Sequence, residues 1–241
     1  MRNWIIGAAA ILAVAVPGVA AAQTGYVGAT YSDIDAGGAG DDEVIGVEGA
    51  VAFAGSGSIV FEVDASIADS DASGDTGYGI VGHVYGRNDS HLFGGFVGLS
   101  DSGDSDTTWV VGLEASKFYA NWTLAGAVLY ANNDDADVDA WGVNVEARAF
   151  VHDNFRIDGR LGWANIDAGT GDDDALTLGI GGEYQFASVP VSIGLGYANT
   201  DFDGGDVDVL TVGVRYNWGG TLRDRDRNGA SQASITGITL F

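Results

Sequence analysis

Glu48, Glu62, Asp64, Glu114, Glu146, Asp158 and Glu183 stand at alternating positions of otherwise apolar segments, and Arg148, Arg156, Arg160 and Arg215 share that parity. Carboxylates and guanidinium groups that face a common space can do one of two things. They pair and close it, or they stand across water and set up a transverse field that orients polar solutes and favours cations where acid predominates. The bases gather between Arg148 and Arg215, whereas the acids are spread more widely. Covalent chemistry finds little support. His83 has the same parity as these charges, His91 and His152 fall at turns, and none has a Cys or His partner at metal-ligand spacing. No G-x-S-x-G turn occurs, and the glycines of FGGFVG precede no helix that would cradle a phosphate. No catalytic residue and no metal site is predicted, and the chain reads as a non-enzyme.

Strands must carry these groups. Polar gaps recur along the chain, the long ones AGGAGDD, ASGD, SDSGDSD, NNDDADVD, AGTGDDD and DFDGGD alternating with the short turns GSGS, RNDS, AN, HDN and ASVP. Such turn chemistry closes hairpins. Between the gaps the period is two, which predicts about twelve strands near 24-35, 43-54, 59-70, 76-87, 91-100, 107-119, 122-131, 139-151, 155-166, 175-186, 191-200 and 207-218. In one of them Trp141, Val143, Val145, Ala147, Ala149 and Val151 share a face, while Asn144, Glu146 and Arg148 share the other. The first strand, GYVGATYSDID, has mixed parity, so the count is open by two.

The chain opens MRNW, continues apolar from Ile5 to Val16 and then reads PGVAAAQ. A positive start, a short apolar run and an A-x-A site predict an export signal over 1-22, cleaved before Gln23. Beyond it no stretch approaches the roughly 20 apolar residues of a spanning helix. The chain has no cysteine, and its net charge of −24 becomes one unit more negative when Arg2 leaves with the signal. Such acidity excludes nucleic acid as a partner, because phosphates would be repelled. With 46% hydrophobic residues in ordered alternation, disorder is also excluded.

Alternation alone fits a soluble acidic β-sandwich as well as a membrane barrel. Three features favour the barrel, an all-β antiparallel up-and-down architecture over 23-218 with apolar residues toward lipid and polar ones toward the lumen. Aromatic residues gather at both strand ends, Tyr78, Trp109, Tyr130, Trp141, Trp163 and Tyr197 beside the long gaps, Phe53, Phe93, Tyr119, Trp122, Phe155, Phe186 and Trp218 beside the short turns. An even strand count puts both ends of the barrel on the short-turn side. Lys117, the base on an apolar face, lies where its amine could reach headgroups.

The last predicted strand contains LTVGVRYNW, in which Thr211, Gly213, Tyr216 and Trp218 match the polar-x-Gly-x-x-aromatic-x-aromatic signal that barrels of this kind show to the bacterial assembly machinery. The chain thus resembles Gram-negative outer-membrane barrels of the porin-like family. In that family an aromatic residue usually ends the chain, whereas here GGTLRDRDRNGASQASITGITLF follows, and its terminal Phe241 is a competing signal. The resemblance implies outer-membrane localisation and contact with outer-membrane lipid and lipopolysaccharide.

Two features stay open. Crowded Asp in the long gaps, such as Asp134, Asp135, Asp137 and Asp139, forms either a solvated acidic rim or weak sites for calcium or magnesium, which would bridge to lipopolysaccharide phosphates. Residues 219-241 are expected as a periplasmic tail, disordered, bound to an envelope component through Arg223, Arg225 and Arg227, or folded back as a gate. The expected function is a small cation-preferring channel for ions or small hydrophilic solutes, lined by the charges that open this section. The alternative is a non-conducting structural or surface-binding barrel with acidic cation-binding loops.

Overall fold

The structure is a computed structural model that describes residues 24–101, 107–134, 136–169 and 171–236. The expected signal over 1-22 and the candidate terminal signal at Phe241 lie outside the described residues. In chain order the strands are β1 (Thr24–Asp35), β2 (Asp41–Ala54), β3 (Ile59–Ser70), β4 (Thr76–Arg87), β5 (His91–Asp101), β6 (Thr108–Phe118), β7 (Trp122–Asn133), β8 (Val138–His152), β9 (Phe155–Asp167), β10 (Asp172–Gln185), β11 (Val191–Phe202) and β12 (Gly205–Trp218). Each pairs antiparallel with its sequence neighbours, and β1 pairs with β12 from Gly25↔Trp218 to Asp35↔Asp208. One closed up-and-down barrel results. A sandwich of two sheets is excluded.

The mixed parity of the first strand is resolved by this closure. Tyr26 turns into the lumen, 7% exposed, while Tyr31 lies on the outer wall. Several acids predicted in loops belong to strands, because β2 begins at Asp41, β10 at Asp172 and β12 at Gly205. Register then sets carboxylates opposite one another at the loop end, as Asp35↔Asp41, Asp167↔Asp172 and Asp201↔Asp206. Like charges so placed repel. Hydroxyl and amide donors partly offset the cost: Tyr197 donates to Asp208 (2.5 Å), Asn199 to Asp206 (3.2 Å) and Tyr130 to Asp139.

Between its ends the outer wall is apolar. Phe93 is 63% exposed, Trp141 62% and Ile180 62%. A wall like this is stable only in an apolar surround, and with every strand edge paired the backbone asks nothing of it. The inner wall divides by height. Toward the long connections it carries small or neutral residues such as Ser66, Ala68, Gly79, Gly98, Ala164 and Ala198, whereas the short-turn half carries the charges.

Beyond Trp218 the chain folds back over the barrel. Leu222–Asn228 forms a helix, α1, across the short-turn mouth, and the following residues run into the lumen as far as a 3-10 turn at Ala233–Ile235. Gly219 and Gly220 (φ 95° and 110°) reverse the chain between β12 and the mouth, in a backbone region that glycine enters without strain. Read as a linear run, the alternating Arg and Asp of this segment look like a solvated linker. Wound on a helix, Leu222, Arg225 and Asp226 form a buried face.

Candidate functional site: the charged lumen and its occupant

The eleven luminal charges expected from parity do face inward, and they sort into two clusters. In the first, on β8 to β12 with Glu48 of β2, Arg215 contacts Glu48 (Nη2 to Oε1 2.6 Å) and Glu183 (Nη1 to Oε2 3.2 Å). Arg156 contacts Asp158 (2.5 Å) and also reaches Glu183 (3.4 Å). Arg148 holds Glu146 (2.6 Å), and Arg160, the most exposed of the bases here, reaches the other oxygen of Glu146 (3.4 Å). Arg148, Arg156 and Arg160 therefore lie along the wall against carboxylates of their own or a neighbouring strand, whereas Arg215 reaches across β1 to Glu48 and across β11 to Glu183. Buried ions need such partners, since one left alone in low dielectric would cost several kcal/mol.

The second cluster is on β3 to β6. His83 sits between Asp64 (Nε2 to Oδ2 2.9 Å) and Glu114 (Nδ1 to Oε2 2.9 Å), with all three buried. Glu62, directly opposite His83 in register, accepts instead from the Tyr85 hydroxyl (2.6 Å). The Asp64 and Tyr85 contacts are diagonal pairings between adjacent strands, whereas Glu114 reaches His83 across β5. Glycines make room for them. A Cβ on Gly94 would stand 2.3 Å from Tyr85 Cβ, and one on Gly112 would stand 2.4 Å from the Phe96 ring. Sequence reasoning gave His83 its inward parity but no role. The signal it lacked was register, which places Asp64 one diagonal step away.

The occupant meets both clusters. Asp226 accepts from Arg148 Nη1 (3.0 Å) and from the Thr123 hydroxyl (2.6 Å). The Ala230 amide donates to Thr24 Oγ1 (3.0 Å) and the Gln232 amide to Glu62 Oε1 (3.0 Å). Ser234 donates to Glu146 (2.7 Å), and Asn144 Nδ2 donates to the Ile235 carbonyl (2.9 Å). The Ile235 side chain, 1% exposed, packs with Val81, Phe96, Val110, Ala125 and Ala127, one of the apolar patches on the inner wall. Arg225 meets Gln185 Oε1 (2.7 Å) and Gly220 O (3.3 Å) rather than a carboxylate, and burial pushes it down to about 10. At the mouth Thr221 and Asp224 form a reciprocal cap of α1, and the Thr221 backbone N–H and hydroxyl hold the Asp224 carboxyl below its ordinary value.

One constellation on the short-turn side resembles a nucleophilic triad, with Ser90 Oγ 2.9 Å from His91 Nδ1 and Asn88 Nδ2 2.9 Å from His91 Nε2. Its bond directions oppose catalysis. The Asn88 amide donates to Nε2, so Nδ1 carries the proton and donates to Ser90, whose own proton goes to Asn88 Oδ1 (3.0 Å). His91 cannot act as base toward Ser90 in this arrangement. The group closes the turn between β4 and β5.

No protein-family model matches the sequence, and a search of curated proteins finds no match. Solved structures do match the fold. The KdgM porin superposes with a TM-score of 0.60 at 10% identity, covering 79% of this chain and 99% of that one. The NanC porin gives 0.59 at 6% identity, covering 79% and 98%. The β domain of the Bordetella autotransporter BrkA gives 0.50 at 13% identity, covering 82% and 100%. The chain has the fold of porin-like outer-membrane β-barrels.

Proposed function

We propose that this protein is an outer-membrane channel of porin-like type, which passes ions and small hydrophilic solutes passively and prefers cations. The observation that carries the reading is where the charged side chains go. An eight-stranded barrel fills its interior with wall side chains, but twelve strands enclose a wider space. Here the luminal ions lie flat along the wall in pairs, and the axis of the short-turn half is occupied by a separable piece of chain. Cation preference is supported by the loop-end rim, where paired carboxylates accumulate and no Lys or Arg lies in the long connections. Such a rim raises the local cation concentration. The same carboxylates would take calcium or magnesium weakly and so meet lipopolysaccharide phosphates through a shared ion.

The filled short-turn half favours a second reading, a non-conducting barrel that presents its acidic loops to a surface partner. Planar-bilayer recording of the full chain under a salt gradient separates the two. Discrete steps with a reversal potential of cationic sign support the channel, including steps that are brief because the occupant must leave. A silent full chain, together with silence after the occupant has been removed as described below, rejects it in favour of the surface-binding reading.

A further inference from the structure

The contacts between the wall and residues 221–236 have a property that ordinary core packing lacks. Among the described residues, three of the four luminal charges that touch the segment, Arg148, Glu146 and Glu62, also have a strong partner on the wall, and the fourth, Arg87, which donates to the Gly229 carbonyl (2.8 Å), keeps the Tyr85 hydroxyl (3.0 Å). Arg148 keeps Glu146 at 2.6 Å when Asp226 is taken away, and Glu62 keeps the Tyr85 hydroxyl at 2.6 Å when the Gln232 amide is taken away. Glu146 keeps both Arg148 and Arg160 without Ser234. Withdrawal of the segment therefore leaves Arg148, Glu146 and Glu62 paired on the wall and Arg87 bonded to the Tyr85 hydroxyl, which spares most of the usual penalty for breaking a buried polar contact. The charges on the segment itself, Arg225 and Asp226, would return to water.

Specific recognition is present nonetheless. Backbone amides at Ala230 and Gln232 and the Ile235 carbonyl are bonded by wall side chains, and Ile235 fills a patch whose luminal partner among the described residues it is. Main-chain bonds with one apolar anchor are how proteins bind short peptides. The Gly219–Gly220 reversal supplies the joint on which the segment can swing.

From these contacts we infer that the short-turn half of the lumen is a peptide-binding seat whose ligand is the chain's own segment Thr221–Thr236. The seat holds that segment reversibly and accepts the same sequence as a separate peptide. The segment in place closes the barrel, and its departure toward the short-turn mouth opens it. This goes beyond the channel reading, since a seat can exist in a barrel that does not conduct.

The test uses the full chain, folded, with a protease site inserted between Gly219 and Gly220, both exposed. After cleavage the barrel is washed and titrated with a fluorescent peptide of residues 219–241, and binding is read by anisotropy. Conductance is recorded in parallel. The expected result is exchange of the cleaved segment for the labelled peptide, saturable binding, and closure of the washed barrel only from the short-turn side. Peptides carrying Ile235→Ala or Asp226→Asn should need at least about tenfold higher concentration, one decade being roughly 1.4 kcal/mol. A cleaved segment that never exchanges overturns the reversible seat, and so does a washed barrel that ignores the peptide or binds the altered peptides equally well. Binding without conductance before or after washing leaves the seat standing and removes the channel. Conductance without binding does the reverse.

Discussion

Ile235→Ala is the sharpest perturbation of the luminal segment. The side chain is 1% exposed, and the substitution removes Cγ1, Cγ2 and Cδ1 from contact with the patch of Val81, Phe96, Val110, Ala125 and Ala127. At roughly 0.8 kcal/mol per buried carbon the loss is about 2.4 kcal/mol, near the lower limit for large-to-small substitutions in cores. The patch belongs to hydrogen-bonded strands and cannot collapse onto the gap, so little of that loss is recovered. If the segment opens before the wall does, the open population rises by a factor of about 50 at 1.4 kcal/mol per decade. The chain has no cysteine, so a single thiol is a clean reporter. Ala233→Cys suits the purpose, because Ala233 borders a cavity of about 40 Å³ that can admit a sulfur. Maleimide labelling of the buried thiol, with opening in rapid equilibrium, should accelerate by that factor in the Ile235→Ala background. Arg223→Ala, which removes an exposed pair with Asp153 (3.1 Å), should change the rate by less than about fivefold. Acceleration below about fivefold for Ile235→Ala, or equal effects of the two substitutions, would refute the idea that the apolar anchor holds the segment.

Three other outcomes are expected. Asp224 is held below its ordinary value of 3.8 by the Thr221 backbone N–H and hydroxyl, so its contribution to the cap of α1 is complete above that value and is lost as pH falls through the lower folded value. Labelling of Cys at position 233 by an acid-tolerant disulfide reagent should therefore quicken only in strong acid, and Asp224→Asn should quicken it at neutral pH by about fivefold, the worth of roughly 1 kcal/mol of cap. Arg215→Met leaves Glu48 and Glu183 without their contacts at 2.6 and 3.2 Å and should destabilise the barrel by about 3–5 kcal/mol in urea titrations in micelles, with partial recovery in the Glu48→Gln double variant. Trp218→Ala should reduce the heat-modifiable, folded fraction in cells far more than removal of Phe241, because Trp218 ends the closing strand and pairs with Gly25 across the seam; the reverse order would assign the assembly signal to the chain end.

The wall was legible because a strand in this environment has two unlike sides. In β8, Trp141, Val143 and Val145 point outward while Glu146 and Arg148 point inward, as a period of two requires. What parity cannot supply is which inward groups meet. His83 lies directly opposite Glu62 yet bonds Asp64 and Glu114, and Glu114 stands two strands away with the small Gly94 between them. That outcome depends on register and twist. The segment beyond Trp218 was less legible still. Its helix is about two turns, mostly alternating Arg and Asp, and ASQASIT carries one large apolar side chain. Nothing in such composition marks a buried strip, because burial here comes from a lumen that already exists.

The same physics explains why the two halves of the barrel differ. A wall that had to fill a twelve-strand interior by itself would need long side chains at every level, and the loop-end half has Ser66, Ala68, Gly79, Gly98, Ala164 and Ala198 instead. Small neutral residues leave that half wide and place little field across it. The charges are concentrated where the segment sits, so the most polarised level of the lumen is also the level that the segment would vacate. In the channel reading, discrimination beyond the cation enrichment at the acidic rim would arise at the level of Arg148, Glu146 and Glu62, after Asp226 and Gln232 have left them. Charge reversal there, as in Glu62→Lys, should shift the reversal potential of an opened barrel toward anions, whereas a charge added at Ala198 should act only through the weaker field of a wide mouth.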